Sequence, residues 1–138
     1  MKMLNNFLIA VAVMLLIGCH SYDVNGTRPV RYANSVQVTA LDSTLRPFSK
    51  TIEVFQNADE LKTQPYRKIA LLSHSGWPND EALLNNALIW KAKSLGATGV
   101  ILLPPSRIGY QFNLFAHSGV SYNYLAQAIV FTTGKTSE

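Results

Sequence analysis

The chain has 138 residues, with 12 basic and 8 acidic side chains, a formal net charge of +4 and a single cysteine. The positive charge is mild and its residues are scattered, whereas nucleic-acid-binding proteins usually cluster them on one face, so we expect no nucleic-acid partner. One cysteine excludes a disulfide within the chain. The length suits a single domain that is held together by core burial alone.

Residues 1–18 have the layout of a secretory signal peptide: Lys2 near the start, then an apolar run from Phe7 to Ile17 that is too short for a comfortable membrane span. The run ends in LLIGCH, residues 15–20, which resembles the lipobox of bacterial lipoproteins. That resemblance implies cleavage between Gly18 and Cys19, a diacylglyceryl group on the Cys19 thiol, and anchoring in a membrane. The sorting rules of such proteins imply that His20, where an aspartate would retain the protein in the inner membrane, favours the outer membrane facing the periplasm.

The mature chain is predicted to contain a tether, one domain and a tail. Residues 19–34 show no apolar period and contain Asn25-Gly26 and Pro29, which break regular structure. We therefore expect a lipidated N-terminus and flexible tether over 19–34, a single domain over 35–133 and a disordered tail over 134–138.

Five strands are predicted from the apolar pattern. Alternation indicates strands over 35–41 and 50–56, and continuous apolar runs indicate strands over 67–76, 99–105 and 122–133. Between the last two lies a long connection, residues 104–121, with two prolines and two glycines.

One helix is predicted between the third and fourth strands. Asn79 is the expected N-cap, apolar residues recur at helical spacing, and Gly96 is expected just after the last turn with a positive φ. Lys91 lies by angle inside the apolar arc, so we expect its stem on the core and its ammonium in water. A strand, a helix and a strand form a βαβ unit. The predicted fold class is therefore α+β: an approximately five-stranded mixed sheet with one major helix packed on one face.

The stretch from Lys91-Ala92 to Leu95-Gly96-Ala97 and Val100, a helix end followed by a strand, resembles a pattern in small bacterial envelope lipoproteins. It is similar to the YbjQ-like domains and to the stress-sensor lipoproteins of the Rcs pathway, over about residues 50–103. The resemblance implies an α+β domain in the cell envelope. Two departures concern activity: the Rcs sensor depends on disulfides, which this chain cannot form, and no motif here matches the metal binding suggested for YbjQ-like domains.

The sequence contains no catalytic or metal-binding signature. The histidines are not spaced as ligand pairs, and adjacent Ser73 and His74 point to opposite faces of a strand, so they cannot form a nucleophile and base. We therefore expect no enzymatic activity, no catalytic residue and no cofactor. His74 and His117 are weak metal candidates that could meet in space.

The aromatic side chains of the long connection and the strand after it are the predicted partner-binding residues. Aromatic residues are favoured anchors of interfaces, and long connections often carry function. The expected function is a non-enzymatic protein-binding role in the envelope, whether structural, assembly or stress-sensing, with an unidentified protein partner. The alternative is a lipoprotein that binds a small molecule or metal. The predicted partner-binding residues are Tyr110, Phe112, Phe115, Tyr122 and Tyr124.

Overall fold

The computed structural model of the chain describes residues 30–61, 63–111 and 118–132. Five strands and one α-helix are present, with short 3-10 turns at Ala33–Ser35, Ala58–Leu61 and Pro78–Asp80. In chain order they are β1 (Gln37–Ala40), β2 (Glu53–Phe55), β3 (Tyr66–Gly76), α1 (Glu81–Ser94), β4 (Gly99–Gln111) and β5 (Gly119–Phe131). Cys19 and the predicted signal peptide, Phe112, Phe115, His117 and the predicted tail lie outside the described residues.

The strands form one mixed sheet in the order β1-β3-β5-β4-β2. The pairs β1–β3, β3–β5 and β4–β5 are antiparallel, and β2–β4 is parallel. This confirms the predicted α+β fold, a five-stranded mixed sheet with one main helix packed against it. Because β3 and β4 both run antiparallel to β5, they are parallel to each other and α1 links them, but β5 lies between them. The βαβ unit is therefore split.

The main core lies between α1 and the sheet. Leu84, Ala87 and Leu88 of α1 are buried together with side chains of β3, β4 and β5 such as Leu72 and Val100. The same cluster includes Val30, Ala33 and Val36, which are 5%, 1% and 6% exposed. Residues 30–34 therefore pack into the domain, and the predicted tether does not extend to residue 34.

A second, smaller cluster lies on the opposite face of the sheet. Ile101 and Ile129 are buried there under Leu61, which the 3-10 turn at Ala58–Leu61 positions, while Phe55 and Phe131 pack around them. Side chains of Val100 and Ile101 point to opposite faces because neighbours on a strand alternate. Coverage on both sides explains the continuous apolar runs of β4 and β5.

The C-terminal end of α1 agrees with the prediction, whereas the N-terminal end differs from it. Gly96 has a φ of 74°, as predicted. Its N–H bonds the carbonyl of Lys93 at 3.0 Å, and the Ala97 N–H bonds that of Ala92 at 3.1 Å, which together form a Schellman motif. At the start, the prediction of Asn79 as N-cap is wrong: Asn79 lies inside the 3-10 turn that Pro78 opens, and Asp80 occupies the N-cap.

The predicted long connection is mostly strand. β4 continues to Gln111 and β5 begins at Gly119, so the end of β4 pairs with the start of β5. We call this long hairpin, from Ser106–Asn123 to Gln111–Gly119, the arm. The register shifts between Leu103 and Ser106, where Pro104 and Pro105 lie. Proline has no N–H for a ladder and is tolerated in strands at such bulges, so the two prolines do not end β4.

Candidate functional site

Two clefts meet at the end of the sheet where β3 ends and α1 begins, and both are lined by Trp77 and Asp80. The first, the His74 cleft, has a volume of about 240 Å³ and includes Tyr32, His74 and Leu84. The second, the Trp77 cleft, has a volume of about 430 Å³ and includes Asn79, Gly119 and Tyr122. Segments far apart in the sequence, before β1, around the start of α1 and at the start of β5, therefore form one surface.

The backbone at Trp77 is fixed by two hydrogen bonds. Its carbonyl oxygen accepts the Asp80 N–H at 3.0 Å and the Tyr124 hydroxyl at 3.4 Å. Pro78 sets the direction of the chain from β3 into the 3-10 turn. The position of the Trp77 side chain therefore depends on ordered elements on both sides of the junction.

Tyr124 supports this junction from within the core. It is 2% exposed, so the prediction that Tyr124 binds a partner directly is wrong. Its burial raises the pKa of the Tyr124 hydroxyl, and the charges of Glu81, Tyr122 and Asp80 raise it further. The hydroxyl therefore stays protonated and can donate to the Trp77 carbonyl.

His74 is held by hydrogen bonds from both ring nitrogens. Nδ1 lies 2.7 Å from the carbonyl oxygen of Ser75, and Nε2 lies 2.9 Å from Oγ of Ser35. Because a carbonyl oxygen only accepts, Nδ1 carries a proton. The Ser35 hydroxyl has a single proton to share between Nε2 and the carbonyl oxygen of Tyr32, which lies 2.9 Å from Ser35 Oγ. The Tyr32 ring meets His74 edge-on, with centroids 5.7 Å apart. A metal at His74 would have to replace one of these bonds.

Within residues 30–61, 63–111 and 118–132, no group of three or more His, Cys, Asp or Glu side chains could hold a metal ion. His117, the other metal candidate, lies outside these residues, so the predicted meeting of the two histidines stays a prediction. Tyr32, beside His74, has a positive φ of 67°, an uncommon conformation for a residue other than glycine. The guanidinium of Arg31 lies over its ring, 4.9 Å from the centroid.

The predicted aromatic residues that the structure describes lie along one face of the arm. Val120, Tyr122 and Tyr124 are alternate residues of β5 and share the face that packs on α1, where Tyr124 joins the main core. Tyr110 pairs with Val120 across the ladder and therefore points to the same side. Tyr124 is buried, Tyr122 is half-buried and Tyr110 is 64% exposed, as the arm extends away from α1. Tyr122 therefore contributes to the Trp77 cleft, and Tyr110 lies on the free surface of the arm.

Trp77 and Tyr32 were absent from the predicted site. A tryptophan between the last glycine of a strand and a proline is the one local signal for Trp77, because such a junction often lines a cleft. Nothing in the sequence around Tyr32 indicates its contact with His74, since the two are 42 positions apart in the chain.

No protein-family model matches the chain, and no curated protein matches it. A crystal structure of the Francisella virulence factor FvfA is similar, with a TM-score of 0.48 and 16% sequence identity. The similarity covers 67% of this chain and 94% of FvfA. Similarity at this level does not transfer a function. Of the helices in the described part of the chain, none combines the length and apolar character that crossing a membrane requires.

Proposed function

We propose that the chain is a lipid-anchored protein of the bacterial envelope whose domain binds a protein partner without catalysing a reaction. The lipobox-like stretch at residues 15–20 supports lipidation of Cys19, and His20 supports the outer membrane, facing the periplasm. The observation that carries the binding role is the exposure of two large apolar side chains on the arm. Ile108 is 53% exposed and Tyr110 is 64% exposed.

The arm is suited to binding because its backbone is already ordered. β4 and β5 are paired from Gly99–Ile129 to Gln111–Gly119, so Tyr110 is carried by a ladder and not by a free loop. Binding through such side chains costs little ordering of the backbone, and an aromatic side chain offers a large contact area with few torsions to freeze. Arg107, exposed on the same strand, adds a charged group at the rim of the proposed surface.

Crosslinking in living cells, followed by mass spectrometry, tests this role. The double variant Ile108→Ser with Tyr110→Ala is expected to remove the main crosslinked protein while leaving the melting temperature and membrane localisation unchanged. The matched control is Leu45→Ala, since Leu45 is 98% exposed in the segment after β1. That segment lies at the other end of the sheet, where Asp42 reaches Arg67.

A folded double variant that keeps every partner contradicts the proposal. So does an equal loss of partner in Leu45→Ala, because the contact would then reflect general surface hydrophobicity and not the arm.

A further inference from the structure

We propose that the Trp77 cleft binds a neutral carbohydrate, with one pyranose ring packed on the aromatic side chains and its hydroxyls held by the polar rim. This inference is independent of the partner surface on the arm, because it uses none of the exposed side chains of β4. It rests on the chemistry of the cleft wall, on the charges around it and on its size.

The wall offers two aromatic rings that are partly open. Trp77 and Tyr122 are both half-buried. A Cβ at Gly119 would lie 3.4 Å from Cζ3 and 3.8 Å from Cε3 of Trp77, so a side chain there would cover the six-membered ring. Glycine leaves this part of the ring accessible. The axial C–H groups of a pyranose present an apolar face that packs on such rings, as other apolar groups do.

The rim offers polar groups that suit hydroxyls. Asp80 occupies the N-cap of α1, but its side chain makes no capping hydrogen bond, and it lines both clefts. A carboxylate accepts hydrogen bonds from two adjacent hydroxyls, and the Asn79 amide both donates and accepts. A sugar has the matching combination of one apolar face and an edge of hydroxyls.

The charge at the cleft disfavours an anionic ligand. Asp80 is the charged side chain among the described residues that line the cleft, and its carboxylate would oppose an anion while accepting hydrogen bonds from sugar hydroxyls. The volume of about 430 Å³ lies inside the roughly 300–1,000 Å³ that is typical of ligand sites and accommodates a disaccharide.

Nuclear magnetic resonance of the full chain tests the proposal. The protein is labelled with ¹⁵N and purified in a polyoxyethylene detergent, because the headgroup of a maltoside detergent is itself a sugar. N,N′-diacetylchitobiose, cellobiose and maltose are titrated separately, and benzyltrimethylammonium serves as a cationic comparison. The two indole Nε1–H signals are assigned with Trp90→Phe. Trp90 is an internal control, since it lies on α1 with its Nε1 buried and does not line the Trp77 cleft.

We expect at least one disaccharide to shift the Trp77 indole signal and not the Trp90 signal, with saturation transfer to the C–H protons of one sugar face. Trp77→Ala and Gly119→Leu should each weaken binding about tenfold, near the upper range for one aromatic contact, and Trp77→Phe should restore part of it. Tyr110→Ala should bind sugar normally, so a failure of the arm and a failure of the cleft are distinguishable.

Three results overturn the proposal. The first is the absence of any shift at Trp77 with all three disaccharides, which needs no variant. The second is unchanged affinity in folded Trp77→Ala or Gly119→Leu. The third is binding of benzyltrimethylammonium alone, lost in Asp80→Asn, which would make the cleft a cation site.

Discussion

Gly96 meets two separate requirements at the end of α1. Its φ of 74° is costly for a residue with a Cβ, and a Cβ there would also collide with Cβ of Arg46 and lie 2.8 Å from the carbonyl oxygen of Pro47. Gly96→Ala is therefore expected to lower the free energy of unfolding by about 2 kcal/mol or more, measured by urea denaturation.

Gly109→Ala is the control for that substitution, because a Cβ at Gly109 would meet nothing within 4 Å. Little change in stability is expected there. Equal effects of the two substitutions would mean that neither the positive φ nor the nearby Arg46–Pro47 segment restricts position 96.

Asp42 organises the segment after β1. Its carboxylate accepts bonds from the N–H and hydroxyl of Thr44 at 2.8 and 2.7 Å, and pairs with Arg46 at 2.6 Å and Arg67 at 2.9 Å. The hydrogen bonds from Thr44, followed by the one from Arg46, hold the pKa of Asp42 well below its ordinary value of 3.8.

A lowered pKa in the folded state means that the charged form of Asp42 stabilises the fold above about pH 4, and that this contribution is lost as the pH falls through the acid range. Asp42→Asn should therefore be less stable than the parent protein at pH 7, with a difference that shrinks steadily below pH 4. Asp59→Asn, at an exposed carboxylate, is the control. A difference that persists unchanged at pH 2 in urea denaturation would refute the assignment.

At the scale of elements, the helix and all five strands could be predicted because apolar periodicity is a local property of the sequence. The observed boundaries differ from the predicted ones by a few residues: β1, for example, was predicted to begin at residue 35 and begins at Gln37, after a 3-10 turn. The hairpin arm was missed because Pro104-Pro105 normally breaks a strand, and only the pairing of β4 with β5 shows that a bulge accommodates them. The position of β5 between β3 and β4 depends on long-range pairing that no local pattern contains.

The buried arc of α1 also differs from the prediction. Lys91, placed by angle inside the apolar arc, is half-buried, whereas Lys93 is 0% exposed. The segment before β2 covers this side of the helix: the Lys93 ammonium lies 5.5 Å from the centroid of the Phe48 ring, and the Ser49 N–H bonds the Lys93 carbonyl at 3.0 Å. The sequence of the helix alone does not show that a second segment packs against it.

We expect Lys93 to stabilise α1 mainly through the volume of its side chain. Lys93→Ala should cost about 2–4 kcal/mol, as for other large-to-small core substitutions, whereas Lys93→Met should lose less than half as much, because its chain fills a similar space. Denaturation of both variants gives the comparison. A methionine variant as unstable as the alanine variant would show that the charge, and not the packing, is what position 93 requires.

At the scale of the whole molecule, the candidate site was predictable only in part. Tyr110 and Tyr122 could be singled out because aromatic residues in a suspected connection are conspicuous, and their partner-binding role stays a prediction. The Trp77 and His74 clefts were not, because Tyr32, His74, Trp77 and Tyr122 come from separate parts of the chain that only the complete sheet brings together.

Anchoring of the molecule depends on Cys19 in the proposed function. Cys19→Ser should abolish incorporation of labelled palmitate and leave the unprocessed precursor in the inner membrane, because only a thiol accepts the diacylglyceryl group. Tyr110→Ala, which leaves the thiol in place, should be labelled and processed normally. Normal labelling of Cys19→Ser would end the lipoprotein interpretation.

The domain would also lie close to its anchor. Val30 is already buried in the core and is 11 positions from Cys19 in the chain. Even fully extended, this stretch can separate the two residues by at most about 40 Å. In the proposed lipoprotein, the partner of the arm would therefore also be a protein of the envelope that has access to the membrane surface.

The central position of β5 has a consequence for when the protein can fold. β5 is the last strand in the described chain, yet it separates β3 from β4 and completes the surface on which α1 packs. Until residues 119–131 have been synthesised, β3 and β4 lack the partner that joins them, and contacts between distant segments form slowly. A growing chain therefore cannot acquire its native sheet on the ribosome before residues 119–131 have emerged. In the lipoprotein proposed above, which would cross a membrane as an extended polypeptide, this strand order delays folding and so favours translocation.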